Sequence, residues 1–305
     1  MSIVNTTQPI TSASCQQAIS ELTQTYPFCR SQLLTTTAFQ RPIYAMQIGE
    51  GKRKVMYSAA HHANEWITSL ILLQFAQDLA QAIQTGEPLL GRDIRQLVRE
   101  TSFYLIPMVD PDGVDLVTGA IAPTDSQYAL ARGISQNYPD IPFPEGWKAN
   151  LLGVDLNLNY PARWLTAREI KFSQGFVSPA PRDFVGRAPL NQAETQAMAD
   201  YTFAIDPDLV LAFHTQGKEI YWQFDDIAIP GAKELGQKMA DASGYNLADT
   251  PYNSSFAGYK DWFIQRFRRP GYTIEAGSGE NPLPLSQFDR IYQECLPIML
   301  IAAEG

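Results

Sequence analysis

The chain has 305 residues, 45% of them apolar, enough for one large α/β domain or two small ones. A formal net charge of −9, with no dense cluster of lysine and arginine, excludes a polyanionic partner such as nucleic acid. The three cysteines, Cys15, Cys29 and Cys295, lack metal-ligand spacing and are too few for a disulfide framework.

In chain order, Met1–Ser12 is polar and rich in threonine and serine and is expected to be a loosely ordered N-terminal arm; residues 13–305 follow as a single domain. Helical spacing begins with Ala18, Leu22 and Tyr26 and stops at Pro27. Strands are predicted over Leu33–Phe39, Pro42–Ile48 and Lys54–Ala60, the last running into His61 and His62. From Trp66 to Ala82, apolar residues recur every three or four positions, so a helix follows. Another strand, Ser102–Val109, is expected to end in a turn at Asp110-Pro111-Asp112-Gly113.

Between Leu116 and Pro189 periodicity is weak and long loops are expected, of the kind that usually carries function. Helices are predicted over Asn191–Ile205, Gly231–Ser243 and Tyr259–Phe267, with a last one from about Ser286. Strands are predicted over Asp208–Phe213, Ile220–Phe224 and Tyr272–Glu275. The alternation predicts a mixed, mostly parallel sheet with helices on both faces, an α/β class. Met1–Ser20 lacks a basic start followed by an apolar core, and no apolar run is long enough to span a bilayer. The expectation is therefore a cytoplasmic protein with no membrane partner.

The chemistry concentrates on few residues. The chain has three histidines, and two of them open the loop His61-His62-Ala63-Asn64-Glu65-Trp66. The third, His214, closes the apolar run Leu209–Phe213. Two histidines and one glutamate form an established zinc set that leaves a position for water. His62, Glu65 and His214 are thus the candidate ligands of one zinc ion. His61 points the other way on a strand end and reads as structural. Glu275, a lone carboxylate ending an apolar strand, is the candidate base.

Strand-His-x-x-Glu-Trp, Gly153–Tyr160, strand-His214 and Tyr272–Glu275, in this order, resemble the zinc carboxypeptidase family. His61–Ser69, His214–Trp222 and Gly258–Phe263 resemble its γ-D-glutamyl-meso-diaminopimelate peptidase branch, whose members cut bacterial peptidoglycan stem peptides. The resemblance implies a carboxypeptidase-like fold. It also implies zinc at His62, Glu65 and His214, with Glu275 activating water and protonating the leaving amine. By the same likeness Asp155 braces the first histidine, and Lys148 falls where the family usually has an oxyanion-stabilising arginine. Asn157 matches half of an asparagine–arginine pair that grips a terminal carboxylate, but Leu158 stands at the arginine position.

That departure favours cleavage at an internal γ-glutamyl bond over C-terminal trimming, unless Arg163, Arg182 or Arg187 reaches in from a loop. Lys260, before Asp261-Trp262, is expected to pair with a carboxylate of diaminopimelate. The implied partner is a stem peptide or muropeptide. Two alternatives differ in class: a carboxypeptidase or N-acyl amino acid deacylase, and a non-catalytic zinc-containing protein that binds cell-wall peptides.

Overall fold

Runs of β-branched and aromatic residues build the strands and amphipathic runs the helices of a three-layer α/β architecture. The computed structural model describes residues 2–305. The first half contains α1 (Ser12–Thr25), β1 (Arg30–Thr36), β2 (Pro42–Ile48), β3 (Arg53–Ala59), α2 (Ile67–Thr85), α3 (Ile94–Glu100), β4 (Thr101–Ile106), α4 (Pro111–Val117) and α5 (Ser126–Ser135). The second contains α6 (Trp164–Ser173), α7 (Ala193–Ile205), β5 (Leu209–His214), β6 (Glu219–Tyr221), α8 (Ala232–Ser243), β7 (Asn246–Ala248), α9 (Tyr259–Phe267), β8 (Gly271–Glu275) and α10 (Phe288–Glu304).

The strands form one sheet in the order β1-β2-β4-β3-β5-β8-β6-β7. Its centre, β4-β3-β5-β8, is parallel, while β1/β2, β2/β4 and β6/β8 pair antiparallel. Every residue of β4 and β5 is buried, as expected of parallel strands covered on both faces. One apolar layer packs α1, α2, α8 and α10 against the sheet; the opposite layer packs α7 and α9. After β3 the chain pairs β4 on one side and later β5 on the other. That reversal opens a crevice at the carboxyl ends of β3 and β5, where open α/β sheets bind ligands.

Two expectations change. Asp110-Pro111-Asp112-Gly113 starts α4 rather than a turn: Asp110 Oδ1 accepts from the Gly113 N–H at 2.9 Å, and Pro111 fills the first helical position, where its missing N–H costs nothing. The stretch before α1 is tied down. Val4 and Ile10 are buried, and the Ile3 and Val4 N–H groups donate to Gln77 Oε1 at 2.6 and 2.9 Å. Met1 lies outside the described residues. No helix among the described residues is long and apolar enough to cross a membrane.

Candidate metal centre

Three adjacent parallel strands deliver the site. After β3, His62 is still extended, and Ala63–Glu65 then turns through one short 3-10 helix, so Glu65 folds back toward the histidine. His214 ends β5 and Glu275 ends β8, paired in register, so their side chains leave the same face of the sheet. The loops above enclose a cavity of about 760 Å³, ample for a short peptide.

His62 Nδ1 and His214 Nδ1 stand 3.2 Å apart, each 2.9 Å from one oxygen of the Glu65 carboxylate. Among the described residues, His62, Glu65 and His214 form the group able to hold a metal ion. Tetrahedral ligands about 2.0–2.1 Å from zinc lie about 3.3 Å from one another, so these spacings fit one ion. Two ring nitrogens facing each other can share at most one proton, whereas a cation between them satisfies both lone pairs and the carboxylate. Asp155 accounts for the orientation of His62: its Oδ1 lies 3.1 Å from Nε2, and a carboxylate can only accept, so the proton sits on Nε2 and the Nδ1 lone pair faces the centre.

The electrostatics favour positive charge at that point. Burial opposes charge on His62, yet Glu65 and Asp155 raise its pKa to about 9. Burial also opposes charge on Asp155, but the His62 ring and Lys148 outweigh it and hold the carboxyl well below its ordinary range. His61 is the contrast. Burial, aided by the neighbouring His214, keeps it neutral, and its ring lies between His214 and Tyr259 with centroids 5.7 and 5.5 Å away. It braces the His214 ring from behind.

Glu275 lines the cavity, and burial beside Glu65 pushes its pKa up to about 8. Lys148 is at the centre rather than on a solvated loop: Nζ lies 3.1 Å from Glu65 Oε1, and the Lys148 carbonyl accepts from the Ala63 N–H at 3.0 Å. Asn157 Oδ1 accepts from the Tyr259 N–H at 3.0 Å, which turns its amide nitrogen toward the cavity that Leu158 also lines.

Lys260 requires a correction. It lines the cavity, but its Nζ sits 2.7 Å from Asp261 Oδ1, 2.6 Å from the Gln223 carbonyl and 3.4 Å from Thr250 Oγ1. An ammonium paired with Asp261 and bonded to the Gln223 carbonyl is held in the wall and has less to offer a substrate carboxylate than a free lysine would.

Of the three loop arginines, Arg163 pairs with Asp225 over the Phe256 ring, Arg187 is exposed and does not line the cavity, and Arg182 lines it with Lys171 and Asp183. Nothing in the spacing of Lys171 and Asp183 marks them in the sequence. Only the fold brings the end of α6 to the loop after Pro181.

The family model described as "Zinc carboxypeptidase" matches residues 15–297. The chain is 41% identical over 298 residues to gamma-D-glutamyl-L-diamino acid endopeptidase 1 of Lysinibacillus sphaericus, covering 98% of this chain and 73% of that protein. It is 34% identical over 282 residues to the uncharacterized protein YqgT of Bacillus subtilis (strain 168), covering 92% and 73%. Bovine thrombin-activatable fibrinolysis inhibitor, solved in complex with tick carboxypeptidase inhibitor, has a TM-score of 0.73 at 17% identity, covering 97% of each chain, a likeness of fold. With a matching family model over nearly its whole length and a converging His-Glu-His group, the chain belongs to the zinc carboxypeptidase family.

Proposed function

We propose that the protein is a zinc-dependent peptidase that cleaves the γ-D-glutamyl-meso-diaminopimelate amide of peptidoglycan stem peptides. The observation that carries this is the convergence of His62, Glu65 and His214 beside Glu275 in a peptide-sized cavity. The relative named a gamma-D-glutamyl-L-diamino acid endopeptidase supports the substrate class. Residues 13–305 would form the catalytic domain, with the preceding stretch as its strap.

Bound zinc supplies Lewis acidity and lowers the pKa of a water. His62, Glu65 and His214 would hold the ion, and Asp155 would keep the His62 lone pair aimed at it. Glu275 takes the proton of the attacking water and returns it to the leaving amine. Lys148 places its ammonium where oxyanion charge develops. Asn157 Nδ2 donates to the substrate.

A cytoplasmic role on imported or internally released muropeptides is part of the same proposal, and the three free, buried thiols are consistent with it. Glu275→Gln preserves shape and removes the base. The variant is expected to bind one zinc ion with parental affinity and to lose at least a thousandfold in kcat. Near-parental turnover would refute the assignment of Glu275.

A further inference from the structure

Two cations on one wall of the cavity share a single carboxylate. Lys171 Nζ lies 2.6 Å from Asp183 Oδ1 and Arg182 Nε lies 2.7 Å from Asp183 Oδ2, so this trio carries one net positive charge, with Asp155 and Glu65 acting on Arg182 from beyond it. Both cations line the cavity; the Lys171 side chain is 10% exposed and the Arg182 side chain 42%, so Arg182 is the more accessible of the two. Its Nε is used by Asp183, whereas Nη1 and Nη2 have no partner among the described residues. Arg182 lines the peptide-sized cavity, and a guanidinium with two parallel N–H donors unpaired matches a carboxylate.

The arginine is also mounted rigidly. The Pro181 carbonyl, on one side, accepts from the Lys148 and Ala149 N–H groups at 2.8 and 2.9 Å. The Asp183 N–H, on the other, donates at 3.1 Å to Asp155 Oδ2, whose partner oxygen holds His62. The backbone that carries Arg182 is therefore tied to both the metal group and Lys148. A guanidinium so placed reads an anionic group at a fixed offset from the scissile bond. Lys260 is paired with Asp261 and bonded to the Gln223 carbonyl, and Arg163 is paired with Asp225 outside the cavity, so Arg182 is the more available of these cations.

We infer that Arg182, held by Asp183 and Lys171, is the residue that selects substrates carrying a carboxylate beside the scissile bond, taking over the task left vacant at Leu158. The inference rests on the peptidase reading above and specifies how that site chooses its substrate. The carboxylate belongs either to the D-glutamyl residue or to diaminopimelate.

The test uses zinc-loaded Glu275→Gln protein, so that binding is measured without turnover. Calorimetry compares L-alanyl-γ-D-glutamyl-meso-diaminopimelate with the same peptide amidated on the glutamyl α-carboxylate and with the peptide amidated on diaminopimelate. With Arg182 present, one amidated peptide is expected to bind at least about tenfold more weakly than the free acid, and its identity names the carboxylate. Arg182→Met should shrink that ratio below about threefold, and Arg182→Lys should restore part of it, with zinc stoichiometry unchanged.

Equal binding of all three peptides to the Arg182 protein would overturn the inference, and so would a free-acid preference that survives Arg182→Met. If no peptide binds at all, the inference falls together with the stem-peptide reading. If binding discriminates as expected but protein with Glu275 intact hydrolyses none of the peptides, the peptidase reading alone fails.

Discussion

Replacing Asp155 with asparagine tests whether the metal centre is aimed from behind. Asp155 Oδ1 faces His62 Nε2 at 3.1 Å and the Asn157 N–H at 3.2 Å, while Oδ2 accepts from the Asp183 N–H at 3.1 Å. An asparagine has one acceptor for these three donors. If its oxygen stays with His62, a part-buried N–H at Asp183 loses its partner, at a cost of about 1 kcal/mol to the fold. If its oxygen turns to Asp183, the amide NH2 meets Nε2, and the ring proton is driven to Nδ1, where the lone pair is needed.

Either way the negative charge that strengthens His62 as a donor to metal is gone. Loss of such a brace typically weakens metal binding about 10–100-fold, or about 1.4–2.7 kcal/mol. The assay is titration of metal-free protein with zinc against a chromophoric chelator, with melting of the metal-free variant followed in parallel. If zinc affinity stays within about twofold of the parent while only the melting temperature falls, Asp155 is a loop anchor and the orienting argument is wrong.

Lys148→Met should lower kcat about 100–1,000-fold with zinc content unchanged, and Lys148→Arg should recover much of it; unaltered turnover would remove Lys148 from the oxyanion role. Glu194, 2% exposed at the start of α7, has its pKa raised from 4.5 to about 7, chiefly by burial. The folded state therefore binds its proton more tightly, and stability is lost as pH rises from 4.5 through 7. Glu194→Gln, which can still accept from Asn150, should match the parent near pH 4.5 and exceed it by up to about 3 kcal/mol above pH 7, read as a melting-temperature gap that opens with pH. A Cβ at Gly113 would meet Ala149 O at 2.6 Å, Ala63 Cβ at 2.7 Å and Asp110 Oδ2. Gly113→Ala should therefore destabilise by about 1–3 kcal/mol and weaken zinc binding, because Ala63 opens the turn that carries Glu65; a parental melting temperature and zinc affinity would contradict this.

Much of the centre is legible in the sequence because strands announce themselves and their carboxyl ends collect ligands. His62, His214 and Glu275 each end an apolar run, and those runs prove to be the neighbouring strands β3, β5 and β8. The proline-rich stretch from Leu116 to Pro189 is harder, because loops bury residues without periodicity. It conceals the pairing of Lys171 with Asp183, and α4 is hidden behind an Asp-Pro signal that serves turns and helix starts alike. Lys260 shows the limit from the other side. Its position before Asp261-Trp262 is visible in the sequence, but its satisfaction by Asp261 and the Gln223 carbonyl depends on a backbone carbonyl brought from another segment.

The most direct measurement is mass spectrometry of L-alanyl-γ-D-glutamyl-meso-diaminopimelate incubated with the zinc-loaded protein. Equimolar release of diaminopimelate and L-alanyl-D-glutamate is expected, abolished by chelation and in Glu275→Gln. An intact peptide after prolonged incubation with protein that holds a full zinc equivalent would contradict it.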